Sequence, residues 1–207
     1  IFMHMCFSKT PALSPTGDSR PFSDQADGTI LGEGVGMLVL RRLEDAERDG
    51  DRIYGVIRSV GTSSDGRAKS IYAPLPAGQA RALRDAYEQA GVSPSDIELV
   101  EAHGTGTSAG DACEFEALRD VYEQEPGLAS WVALGSVKSQ IGHTKAAAGA
   151  AGLIKATLAL HHKVIPPTIK VDAPNPGMDL ATSPFFLPLE ARPWSARSAG
   201  PRRAAVS

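Results

Sequence analysis

Apolar positions along this chain switch between two spacings, and the switches mark out its elements. Residues 35–40 are a continuous apolar run that reads as a buried strand. A charged stretch over 41–49 has helical character and stops at Gly50, and residues 52–60, rich in Ile and Val, read as a second strand. Residues 61–66 form a turn-rich run, and the next unit is a helix over about 78–90. That helix gathers Ala80, Leu83, Tyr87 and Ala90 on one face, and Gly91 ends it. A strand over 97–101 runs straight into a glycine-threonine loop, followed by a helix over 112–124. A strand over 131–136 and a helix over 146–162 repeat the alternation, and Pro166-Pro167 opens an extended, Pro-rich region. Before all of this, residues 8–33 are punctuated by prolines and glycines and read as loop. Strands alternating with helices specify an α/β fold, with ligand chemistry expected at the carboxyl ends of strands.

Composition narrows the class. The 207 residues are 42% hydrophobic and 22% charged, enough for one good-sized domain or parts of two. The formal net charge of −3 comes from well-mixed charges with no basic stripe, which argues against a nucleic-acid surface. The two cysteines, Cys6 and Cys113, form no CxxC pattern and fit a reducing, cytoplasmic setting. The apolar start is too short for a signal peptide. The longest small-and-apolar run, residues 146–160, is broken by Lys155 and too short to span a membrane. The chain begins inside what reads as a buried segment, in which Cys6 is expected to be buried, and stops as a strand begins. A fragment is therefore expected.

Two histidines stand at matched strand-to-helix junctions. His103 opens the loop His103-Gly-Thr-Gly-Thr-Ser-Ala-Gly-Asp111, and His143 lies between the strand at 131–136 and the small-residue helix. The neighbouring glycines are expected to let a substrate approach the backbone. The positive end of the following helix is expected to keep His143 neutral, so that its N–H can be donated to a developing oxyanion. Two such donors aimed at one oxygen would stabilise an enolate or a tetrahedral oxyanion. Lys138, five residues before His143, is placed to tune the field. A lone loop histidine is usually structural, and only the matched pair raises the functional reading. His4, His161 and His162 take the structural one. The Gly-Thr-Gly-Thr loop lacks the Gly-Lys-Ser/Thr of a P-loop and does not match GxGxxG, so nucleotide binding is weak. Thr105 and Thr107 could instead hydrogen-bond an extended amide-bearing ligand. His103, Asp111, Cys113 and His143 have no zinc-like spacing, and no metal is expected.

Taken together, Glu101-Ala-His-Gly-Thr-Gly-Thr107 with Gly110-Asp111, then Gly135-Ser-Val-Lys-Ser-Gln-Ile-Gly-His143 and Ala146-Ala-Ala-Gly149, resemble the two histidine motifs of β-ketoacyl synthases. Pro21-Phe22, Asp27-Gly28, Gly32-Glu-Gly34, Asp65-Gly66, Pro166-Pro167 and Pro174-Asn-Pro176 extend the resemblance over nearly the whole chain. Cys6-Phe-Ser-Lys-Thr-Pro-Ala-Leu-Ser14, His143-Thr-Lys145 and Leu160-His-His-Lys-Val164 look most like the ketosynthases of iterative enediyne and polyunsaturated-fatty-acid synthases.

The resemblance implies a thiolase-like α/β fold, with residues 1–60 ending the first half and 61–207 forming a truncated second half. It implies decarboxylative Claisen condensation of malonyl on an acyl carrier protein with an acyl thioester held on a cysteine. His103 and His143 would bind the malonyl thioester oxygen, with Lys138 and Glu114 supporting them electrostatically. Thr105, Thr107 and Glu114 would belong to the substrate-binding set, the threonines lining a channel for the phosphopantetheine arm that the carrier protein delivers. No cofactor is expected to be bound directly. A homodimeric parent is implied, with no nucleic-acid or membrane partner. The family's nucleophile lies in an Ala-Cys-Ser-Ser type turn upstream of the region that begins here, and neither Cys6 nor Cys113 sits in such a turn. The 207 residues alone are therefore not expected to complete the condensation. The alternative is a non-condensing partner that keeps the fold and controls chain length. A hydrolase or thiolase relative on the same fold is a third reading. The retained pair of histidines counts against the non-condensing partner.

Overall fold

The computed structural model of the chain describes residues 2–66, 74–123, 130–197 and 200–207. Its helices are α1 (Phe2–Lys9), α2 (Leu43–Asp49), α3 (Pro76–Ala90), α4 (Ser108–Tyr122), α5 (Lys138–Ile141) and α6 (Ala148–His162). Its strands are β1 (Leu99–Glu101), β2 (Val132–Gly135), β3 (Val164–Ile165), β4 (Phe185–Phe186), β5 (Arg192–Pro193) and β6 (Ala204–Val206).

Four of these strands form a parallel sheet in the order β4-β2-β1-β6, with Leu99 opposite both Ala133 and Ala204. Both faces are covered, which is why β1 and β2 are buried throughout rather than alternating. Val100, Val132 and Leu134 pack with Phe115, Leu118 and Tyr122 of α4 and with Ala80 and Tyr87 of α3. Leu99 and Ala133 point the other way, towards Ala159 of α6 and Trp194. β3 and β5 make a separate antiparallel pair. The sheet thus sits between α3/α4 and α6, and the loops after β1 and β2 emerge side by side. Among the described residues, no helix is long and apolar enough to cross a membrane.

Three expectations are corrected. Residues 35–40 and 52–60 form no strand and find no ladder partner among the described residues. Val35, Met37 and Val39 are 93%, 88% and 99% exposed, while Gly36 lies against α6, where an added Cβ would come within 2.9 Å of the Ala150 Cβ. Gly55 rests on Thr157 and the Tyr54 ring on His161 in the same way. The apolar run therefore marks two faces that favour burial, of which one is covered. The N-terminal segment, expected to be buried, is the helix α1 with no buried residue, and Cys6 is exposed on it. Finally, the helix expected over 112–124 begins four residues earlier, at Ser108, and Gln124 lies outside the described residues.

Candidate active site

His103 sits two residues beyond β1, where the chain must leave the sheet and turn into α4. Its own N–H donates to Glu114 Oε1 and that of Gly104 to Glu114 Oε2, each at 2.7 Å. Glu114 is buried on α4, so the sequence-predicted substrate contact is turned inward and grips the loop instead. Asp111, one turn earlier, accepts from the N–H of Phe22 at 2.8 Å and of Gly106 at 3.1 Å. Burial pushes the Asp111 carboxyl up to about 7, against the pull of the Phe22 N–H, with the charge of Glu114 adding to the rise. Two buried carboxyl groups therefore set the path of the loop.

The glycines of that loop are required by the protein's own packing. Gly104 and Gly106 have φ of +37° and +78°, favourable only for glycine. A Cβ on Gly104 would lie 2.7 Å from the Ser136 Cβ, and one on Gly106 would lie 2.9 Å from the Gly28 carbonyl oxygen. Thr105 and Thr107 are half-buried, and their hydroxyls bond each other at 2.9 Å.

His143 is held by a segment far upstream in the chain. Its N–H donates to the Ile30 carbonyl at 2.7 Å and its carbonyl accepts from the N–H of Gly32 at 3.1 Å, a one-residue parallel bridge at Leu31. Lys145 Nζ fastens the same place by donating to the Gly32 carbonyl at 2.9 Å. The ring is oriented as well: Nδ1 accepts from the Lys145 N–H at 3.0 Å, so in the neutral imidazole the proton is on Nε2.

The two imidazoles meet edge to face, with centroids 5.3 Å apart and planes at 85°. Both are pushed down to about 4. For His103, open to solvent on one side, the causes are loss of water and then the charge of Lys138. For His143 they are burial, then Lys138, His103 and Lys145. The helix end expected to do this comes five residues later in the chain. α6 starts at Ala148, after a 3-10 turn at Lys145–Ala147, and a helix dipole acts over about one turn. At pH 7 both are therefore neutral N–H donors.

Lys138, the first residue of α5, is buried beside them. Burial lowers its pKa, opposed by the carboxylates of Glu114, Glu101 and Asp111. Behind it, Glu101 Oε2 pairs with Lys155 Nζ of α6 at 2.7 Å, and Glu101 Oε1 accepts from the Val137 N–H at 2.6 Å. His103, His143 and Lys138 thus come together as anticipated, with Thr105 and Thr107 on the same loop as His103. The sequence reading missed the roles of Phe22, Ile30, Gly32 and Lys155. Lys155 entered only as the charge that breaks an apolar run, although a lone lysine among small apolar helix residues calls for a buried partner. Cys113 is buried on α4, where Gln79 Nε2 donates to its Sγ at 3.7 Å.

Comparison with known proteins gives this arrangement a context. Residues 54–172 match the C-terminal domain of β-ketoacyl synthases, and residues 2–46 match the N-terminal domain. The chain is 47% identical over its full length to a polyunsaturated fatty acid synthase of Thraustochytrium, and 44% identical to polyketide synthase PksL of Bacillus subtilis. It spans only 8% and 4% of those two proteins. The ketosynthase from module 6 of the Bacillus subtilis bacillaene synthase superposes with a TM-score of 0.95 at 43% identity. That match covers 99% of this chain and 37% of the solved one.

Proposed function

The chain belongs to the β-ketoacyl synthase family, with that family's thiolase-like α/β fold, and we propose that it is the histidine-bearing part of a condensing acyltransferase. It works within a longer polypeptide, a ketosynthase of a polyketide or polyunsaturated-fatty-acid synthase, in which residues 1–60 end the first thiolase-like half and residues 61–207 belong to the second. The substrate is a malonyl thioester on an acyl carrier protein, whose enolate is the acyl acceptor, and the acyl donor is a thioester on a cysteine elsewhere in that polypeptide.

The step assigned to these residues is decarboxylation. As the bond to the malonyl carboxylate breaks, its electron pair moves onto the thioester carbonyl, whose oxygen becomes an enolate oxygen and carbon dioxide leaves. The neutral N–H groups of His103 and His143 donate to that oxygen, and the ammonium of Lys138 lies behind them. The enolate carbon then attacks the acyl thioester, forming the new C–C bond and expelling the cysteine thiolate. Thr105 and Thr107 offer hydroxyls to the amides of the phosphopantetheine arm, while Glu114 positions His103 from within. The reading includes a homodimeric parent and, from the free thiols of Cys6 and Cys113, a cytoplasmic setting.

The observation that carries this is the pair of imidazoles meeting edge to face, 5.3 Å apart, beside a buried lysine. Preorganised neutral donors suit a developing oxyanion, because they need no reorganisation as charge appears. The test is release of carbon dioxide from malonyl carried on acyl carrier protein by the complete ketosynthase. His103→Ala or His143→Ala is expected to lower the rate by about 10²–10³. Wild-type decarboxylation by the double variant would overturn the proposal.

A further inference from the structure

The buried ion pair beneath the site is not explained by stability alone. Glu101 is 1% exposed, and the Lys155 side chain keeps 10% of its surface exposed. Burying two charges costs more water than their attraction returns unless geometry is very good, and apolar residues of similar volume usually serve stability equally well. Yet the surroundings are shaped to admit this pair. Gly152 of α6 faces the carboxylate, and a Cβ there would press to 3.3 Å from the Glu101 Cγ and 3.4 Å from Val206. At Gly135, at the end of β2, an added Cβ would meet the Thr168 hydroxyl at 2.6 Å and lie in ordinary contact with the Lys155 ammonium at 3.7 Å.

The pair also stands where the two functional loops diverge. Glu101 is the last residue of β1, two before His103, and its carboxylate holds the N–H of Val137, the residue before Lys138. One side chain thus ties the His103 loop to the Lys138 turn, and Lys155 fastens both to α6. We propose that Glu101 and Lys155 form a positioning pair for the decarboxylation, fixing the spacing of His103 and Lys138 and setting the charge that faces Lys138. The inference rests on the enolate-stabilising role given above.

The charged and titratable groups around Lys138 are Glu114 and Asp111 on α4, Glu101 on β1, Lys155 on α6, and the two histidines. Removing the negative charge of Glu101 makes the Lys138 ammonium easier to deprotonate, and removing the positive charge of Lys155 makes it harder. The two substitutions therefore move the alkaline limb of the decarboxylation rate in opposite directions, which a purely structural pair would not do.

The experiment measures kcat, KM and the pH profile of malonyl decarboxylation by the complete ketosynthase carrying E101Q, K155M, K155R or both E101Q and K155M. Expected are a tenfold or greater fall in kcat for E101Q with KM changed less than threefold, and an alkaline limb shifted to lower pH. K155M shifts that limb to higher pH, and K155R keeps most of kcat. If E101Q does not fold, the double variant, which leaves no unpaired charge, is expected to show the same tenfold loss. Wild-type kcat and pH profile in folded E101Q, or in the double variant, would overturn the positioning role alone. An inactive wild-type enzyme would overturn the functional reading beneath it.

Discussion

Substituting Glu114 by Gln tests how tightly the first histidine loop depends on one carboxylate. Both carboxylate oxygens are used, each accepting a main-chain N–H at 2.7 Å, in a buried position. Gln retains a single acceptor and turns an NH2 group towards the second N–H. One charge-assisted bond worth about 1.5–3 kcal/mol is lost, and a buried donor left unmet adds about 1–3 kcal/mol. Working against this, the neutral amide escapes the burial that pushes the Glu114 carboxyl above its ordinary range. The opposing effects leave a net loss of roughly 1–3 kcal/mol. The assay is urea unfolding of the complete ketosynthase, read as a fall in midpoint at constant slope. Decarboxylation measured alongside should drop by at least tenfold, because His103 and Gly104 are the residues released. A stability change within about 0.5 kcal/mol, the usual range for an uninvolved surface site, together with an unaltered rate would refute the reasoning.

Three further outcomes follow from the same geometry. Both imidazoles are held near 4, and a second proton on His143 would sit on Nδ1, where it displaces the Lys145 N–H that orients the ring, so the decarboxylation rate should stay level down to about pH 5 and fall only as pH drops through 4. An acid limb near the ordinary histidine value of about 6.5 would contradict this. Gly32→Ala would place a Cβ 2.1 Å from the Ile141 carbonyl oxygen, breaking the bridge that holds His143. It should cost about 1–3 kcal/mol in denaturant unfolding and lower the decarboxylation rate. The isolated 207-residue chain exposes Val35, Met37, Val39 and Leu40 together, and such a patch should cause self-association in light scattering. A monomeric chain with a cooperative, high-temperature melt would contradict that expectation.

The two histidine loops, Lys138 and the sheet that carries them were legible because their signals are local. A buried parallel strand has few ways to present Leu99, Val100 and Leu134, and a loop residue directly after it has to face the strand end. The strand suspected at the very end is present as β6. What could not be read depends on distant partners. No spacing rule reveals that Ile30 and Gly32 hold His143, or that Phe22 is pinned by Asp111 across 89 positions. The inward turn of Glu114 was hidden for the same reason: a carboxylate on a helix looks alike whether it meets solvent, substrate or a main-chain N–H. At residues 35–40 the apolar pattern predicts a buried strand that the structure does not form, because pattern alone does not supply the second covering surface.

The most direct measurement is a crystal structure of the complete ketosynthase with an unreactive malonyl-pantetheine amide. The account predicts that the carbonyl oxygen of the analogue accepts from an N–H of each imidazole, His143 through Nε2, at about 2.7–3.1 Å. A carbonyl turned away from both rings, or held by main-chain amides with His103 and His143 unengaged, would contradict it.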